Sequence, residues 1–225
     1  MILLHGLFGG LSNWTGVIRH FKDQYDILVP ELPLYEKHKG DTVEYLVSFL
    51  KTLTDPLENV ILVGNSLGGH IAIRYTHLYP EKVAKLVLTG SSGLYENAQV
   101  GSFLKRSNET YIRERVAATF YDPAMASDEL VAEVMQVTTN TAKCLSIIRA
   151  AKATQRDQVL HLLPEIKTSV LLIWGREDQI TPPAVAYQFR DMLPRAQLLM
   201  FDNCGHAPMM ERPVEFNKAL ADFIQ

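Results

Sequence analysis

No stretch limits the fold of this chain more than Asn59-Val60-Ile61-Leu62-Val63-Gly64-Asn65-Ser66-Leu67-Gly68-Gly69-His70. Val60, Ile61, Leu62 and Val63 form an apolar run rich in β-branching, which predicts a buried strand. The apolar residues after Gly69 (Ile71, Ala72, Ile73, Tyr75) fall at helical rather than alternating spacing. Between the two lies Gly64-Asn65-Ser66-Leu67-Gly68, a G-x-S-x-G turn. A strand that reverses sharply into a helix brings the residues two before and two after the centre against its own backbone, so both positions must be nearly side-chain-free, and Gly64 and Gly68 satisfy this. Ser66 is then left exposed at the carboxyl end of the strand, where the free N–H groups and positive end of a helix favour negative charge. Taken alone, the motif also fits a serine that merely caps the helix.

The rest of the chain repeats the strand-then-helix pattern. Apolar runs over 1–4, 25–29, 60–63, 83–89, 169–174 and 197–201 predict strands, and helical spacing over 13–21, 41–53, 184–192 and 213–224 predicts the helices between and after them. This alternation implies a mostly parallel, six-stranded sheet with helices on both faces, the 25–29 strand at its edge. From about 94 to 167 no strand signal occurs, and the spacing predicts helices over 109–120, 127–137 and 141–154 with a short one near 159–163. Residues 1–93 and 168–225 are thus expected to form the core, and 94–167 a helical cap over the carboxyl edge of the sheet, where open α/β sheets bind ligands. Phe103, Leu104, Tyr111, Phe120, Met125 and Met135 are the cap residues suited to line a cavity there, or to pack its own interior.

With 225 residues, 47% of them hydrophobic, there is material for one such α/β unit with a large core. A formal net charge of -3 gives no basic surface for nucleic acid. No apolar run approaches the roughly 20 residues that cross a bilayer. Cys144 and Cys204 are the two cysteines. They lack metal-ligand spacing and are too few for a disulfide scaffold, which suits the cytoplasm, and no metal or organic cofactor is expected.

Met1-Ile2-Leu3-Leu4 runs into His5-Gly6-Leu7-Phe8-Gly9-Gly10, a loop whose backbone is free to approach a ligand closely. Neither G-x-G-x-x-G nor a P-loop lysine is present, so a nucleotide is a poor fit. An acyl-transfer enzyme needs two preorganised donors for the oxyanion of its intermediate. The backbone N–H groups of Leu7 and Leu67 are the candidates, with His5 bracing the loop. Asp178, after Trp174-Gly175-Arg176-Glu177, and His206, in Asn203-Cys204-Gly205-His206, each follow a strand of their own. Parallel strands bring their carboxyl ends to one edge, so Ser66, Asp178 and His206 converge there in the chain order serine, acid, histidine.

On these residues the sequence resembles the α/β-hydrolase superfamily over essentially its whole length. The elbow with Asn65 looks like that of meta-cleavage-product hydrolases, which cleave carbon–carbon bonds, and the glycine-rich opening is similar to that of small carboxylesterases. The resemblance implies Ser66 as nucleophile, His206 as general base and then acid, Asp178 as the group orienting His206, and a small-molecule acyl substrate. Three features depart from the pattern. The β-hairpin that usually precedes the first strand is absent. Glu31-Leu32-Pro33-Leu34-Tyr35 replaces the usual Asp-x-x-Gly-x-Gly. Ala207 follows the histidine, where carbon–carbon hydrolases commonly carry an aromatic residue. The leading expectation is hydrolysis of a carboxylic ester or related acyl compound. The alternatives are carbon–carbon hydrolysis and, in another class, a ligand sensor that keeps the triad. The oligomeric state is left open.

Overall fold

The computed structural model describes residues 1–97 and 105–225. Strands β1 (Ile2–Leu4), β2 (Val60–Asn65), β3 (Val83–Thr89), β4 (Ser169–Gly175) and β5 (Ala196–Phe201) pair in parallel in the order β1-β2-β3-β4-β5. All carboxyl ends therefore share one edge. Helices α1 (Thr15–Phe21), α2 (Thr42–Thr54), α3 (Leu67–Leu78), α4 (Glu109–Ala117), α5 (Asp128–Thr139), α6 (Thr141–Arg156), α7 (Pro183–Met192), α8 (Pro208–Glu211) and α9 (Pro213–Ile224) complete the chain. Among the described residues no helix is long and apolar enough to cross a membrane.

Successive strand residues point to opposite faces, and the core divides accordingly. Leu62, Leu86, Leu88, Val170 and Leu172 pack with Leu46, Leu50, Ile71 and Phe189 on one side. Leu3, Val63, Val87, Leu171 and Ile173 pack with Trp14, Val17, Phe21, Phe216 and Leu220 on the other. Each fully buried aliphatic or phenyl side chain contributes about 1.5–3 kcal/mol relative to exposure. The sheet is thus fixed from both faces while its carboxyl edge stays available for chemistry.

The sixth strand expected at 25–29 is a correction: among the described residues the sheet has five strands, and this segment contributes a single bridge between Leu28 and Ile2. Leu28 N–H donates to Met1 O and Leu3 N–H to Leu28 O, each at 2.9 Å. Pro30 then removes the next donor, and Leu28, paired on one side, is 39% exposed.

Between β3 and β4 the described residues hold helices and no strand. Local capping sets where these helices begin. Asn108, Ser127 and Asn140 accept from the backbone N–H groups of Tyr111, Leu130 and Lys143 at the starts of α4, α5 and α6. Apolar residues of α4 and α5 (Ile112, Val116, Val131, Val134) join the cluster on the Val63 face, whereas Ile147, Ala150 and Ala153 of α6 join the opposite one.

Candidate active site

Ser66 sits between β2 and α3 with φ 54° and ψ -120°, a region L residues seldom occupy and one that costs about 1–3 kcal/mol. The surroundings hold it there. A Cβ on Gly64 would lie 2.6 Å from the Gly68 backbone, and one on Gly68 only 2.2 Å from Leu4 O. Asn65 Nδ2 donates to Thr89 O at 3.0 Å and to His206 O at 3.1 Å, joining the elbow to β3 and to the histidine loop. Ser66 O accepts from the N–H groups of His70 and Ser92, both at 3.1 Å. The side chain makes no capping hydrogen bond, so the reading of Ser66 as a mere helix cap fails.

Asp178 is buried just past β4, and its carboxylate is saturated with donors. Oδ1 accepts from the N–H groups of Ile180 (2.8 Å) and Thr181 (2.9 Å), while Oδ2 accepts from Thr181 Oγ1 (2.8 Å) and His206 Nδ1 (2.9 Å). The acid can only accept, so Nδ1 carries the proton and Nε2 of the neutral ring carries the lone pair. Burial disfavours the imidazolium, but Asp178, with Glu96 and Glu211 farther away, outweighs it and raises the His206 pKa. The neighbouring acids face elsewhere: Glu177 accepts from Cys204 N–H at 2.9 Å, and Asp202 pairs with Arg176 and is 75% exposed.

Ser66 and His206 line one cavity of about 200 Å³, together with Leu7, Phe8, Tyr111, Ile112, Val116, Phe120, Leu130, Val134 and Ile180. Among the described residues, the hydrogen-bonding neighbour of the Ser66 hydroxyl is Ser92 Oγ, at 3.4 Å. The glycine loop closes on the elbow, since a Cβ on Gly6 would lie 3.1 Å from Ser66 Cβ. Leu7 lines the cavity. Leu67 is buried at the first position of α3, where its N–H has no partner within the helix. His5 braces this loop through Nδ1 to Gly6 O (2.7 Å) and through Nε2, which accepts from Leu32 N–H (3.1 Å). Burial lowers its pKa despite the Gly6 bond and Glu31.

Of the expected lining residues, Tyr111 and Phe120 reach the cavity, Met125 and Met135 pack against the neighbouring core, and Phe103 and Leu104 lie outside the described residues. No spacing in the sequence marks Ser92 or Thr181, since Gly90-Ser91-Ser92-Gly93 signals only a break after a strand. Burial drives the Cys204 thiol far above its ordinary range, with Glu211 adding to the effect, so it stays protonated.

The alpha/beta hydrolase fold family matches residues 1–213. A 2-hydroxy-6-oxononadienedioate/2-hydroxy-6-oxononatrienedioate hydrolase of Paraburkholderia phymatum is 30% identical, covering 100% of this chain and 86% of the relative. Lipase 1 of Psychrobacter immobilis is 27% identical, covering 94% of this chain and 72% of the lipase. Among solved structures, an alpha/beta hydrolase enzyme from the metagenome of lagoon sediments of Mar Chica, Morocco, superimposes with a TM-score of 0.79 at 40% identity, covering 99% of this chain and 88% of the other.

Proposed function

The chain belongs to the α/β-hydrolase family, and from that premise we propose that it is a serine hydrolase of carboxylic esters or related acyl compounds, acting through Ser66, His206 and Asp178. The observation that carries this reading is the buried Asp178–His206 pair opening onto the same cavity as a serine held in a strained elbow. A serine hydroxyl is a weak nucleophile, so His206 Nε2 takes its proton as Oγ attacks the substrate carbonyl. The tetrahedral oxyanion is met by the N–H groups of Leu7 and Leu67. His206 then protonates the departing alcohol, and the acyl-enzyme is hydrolysed by a water that gives its proton to the same nitrogen. Asp178 keeps the ring in the required tautomer and stabilises the transient imidazolium. Residues 94–167 act as the cap, since α4 and α5 supply much of the cavity wall.

Ester cleavage is preferred because the described lining is mostly apolar, which suits an uncharged acyl group. A second reading, carbon–carbon bond hydrolysis, is favoured by the named activity of the Paraburkholderia relative. Arg115 is the one Lys or Arg among the described lining residues, and it would have to serve the carboxylates of a dienedioate. Purified protein offered a p-nitrophenyl ester series and a dienoate ring-fission product separates the two, and the esters are expected to turn over faster. Ser66→Ala is expected to abolish both turnover and covalent labelling by a serine-directed phosphonate. Wild-type turnover in that variant would refute the assignment.

A further inference from the structure

We propose that Glu211 is a positioning residue: its carboxylate ties the loop carrying His206 to Tyr121, next to the cavity-lining Thr119 and Phe120, and so sets where the imidazole stands relative to Ser66. Glu211 closes α8, the short helix after the histidine. Its Oε1 accepts from the N–H groups of Gly205 (2.9 Å) and Ala207 (3.3 Å), the residues on either side of His206. Its Oε2 accepts from Tyr121 N–H at 2.7 Å, beyond the end of α4. The two backbones are also joined directly, because His206 N–H donates to Thr119 O at 2.8 Å. They touch so closely that a Cβ on Gly205 would lie 2.7 Å from that same oxygen. Three backbone donors from two distant segments thus converge on one half-buried carboxylate.

Only a group with two acceptor oxygens satisfies this arrangement. A glutamine would present its NH2 to either the His206 loop or Tyr121 N–H, donor against donor. The wall so tied includes Thr119 and Phe120, which line the cavity. The histidine and the surface that would contact substrate are therefore held as one unit. Glu211 also acts on His206 through its charge. The acids favouring the imidazolium are Asp178 from the segment between β4 and α7, Glu96 from the segment after β3, and Glu211 from α8. Glu211 is one whose charge can be removed while the Asp178–His206 hydrogen bond stays in place.

The inference rests on His206 being the general base, so Ser66→Ala and His206→Ala are assayed in parallel. With a p-nitrophenyl ester as probe, Glu211→Gln is expected to fold, to lose kcat on the order of 10- to 100-fold, as small misplacements of reacting groups do, and to change KM little. The acid limb of its kcat/KM profile should move to lower pH, which a purely structural role would not produce. Glu211→Asp keeps the charge on a shorter arm and should lower kcat with the limb nearer that of the wild type. It carries the test if the glutamine variant does not fold. Wild-type kcat and an unmoved limb in a folded Glu211→Gln protein, with both parallel variants inactive, would overturn this proposal alone. Activity retained by Ser66→Ala or His206→Ala would overturn the catalytic reading and this proposal with it.

Discussion

At the scale of single residues, the histidine we propose as the base, which must be neutral to act as one, stands beside a carboxylate that favours its charged form. Burial opposes the imidazolium of His206, and Asp178, Glu96 and Glu211 together prevail over it, so its pKa lies above the ordinary histidine value of about 6.5. In the proposed mechanism Nε2 must be unprotonated to receive the Ser66 proton, so the acid limb of kcat/KM should have its midpoint above that value. Asp178→Asn removes the largest favourable influence and leaves burial in control. An NMR titration of the His206 ring should then give a pKa below that of the wild type, and, if the proposed triad operates, kcat should fall by about 10⁴. A midpoint unmoved by the substitution would show that Asp178 does not govern the ring. His5 is shifted the opposite way. Its contribution to stability is present above the ordinary histidine pKa and lost as pH falls through its lowered value. That of His206 is present below the ordinary value and lost as pH rises through its raised one.

Among the elements, the junction of β2 and α3 is held by contact rather than by propensity. A Cβ at Gly68 would meet Leu4 O at 2.2 Å and Leu4 C at 2.5 Å, backbone atoms that no rotamer change relieves. Gly68→Ala should therefore push β1 away from α3, destabilise the fold by about 1–3 kcal/mol or more and abolish turnover. Gly10→Ala, whose Cβ would meet nothing within 4 Å, should stay within about 0.5 kcal/mol of wild type in denaturant unfolding. Equal stabilities for the two variants would show that close approach is not what the glycine provides. This junction was legible because glycine spacing and an apolar run report a local requirement. The same holds for β3, read at its full extent, and for the helices whose caps lie in adjacent residues. Legibility failed where the cause lay elsewhere in the chain. The 25–29 segment has strand composition, yet the residues that would extend its pairing do not follow Pro30. α8 is four residues long and opens on proline, too short for any period to show. The reach of Glu211 to Tyr121 and the approach of Ser92 to Ser66 are tertiary facts with no spacing to betray them.

For the molecule as a whole, the helices between β3 and β4 must hold their place against the helices that flank the sheet, and the end of α6 shows how one of them is joined. Asp157 follows α6 and accepts from Nε2 of the fully buried His70, on α3, at 2.9 Å, with Arg74 Nε 3.4 Å away. Val159 N–H then donates to Gly93 O at 2.9 Å, fastening the same segment to the stretch after β3. Nδ1 of His70 has no partner among the described residues. Asp157→Ala would therefore leave a buried ring without any hydrogen bond, a loss of about 1–3 kcal/mol. At roughly 2–4 °C per kcal/mol for a chain of this size, Tm should fall by several degrees, and limited proteolysis within 94–167 should quicken. The His70 hydrogen bond, helped by the charges of His70, Arg74 and His161 and opposed by burial, holds the Asp157 pKa below the ordinary aspartate value. A carboxylate depressed in this way contributes stability above its unfolded pKa and loses it as pH falls through the folded one. The Tm gap between wild type and Asp157→Ala should accordingly be full at neutral pH and narrow below about pH 4. Were the gap constant into acid, the ion pair would have no part in joining α6 to α3, and were there no gap at neutral pH, the junction would rest on apolar packing alone.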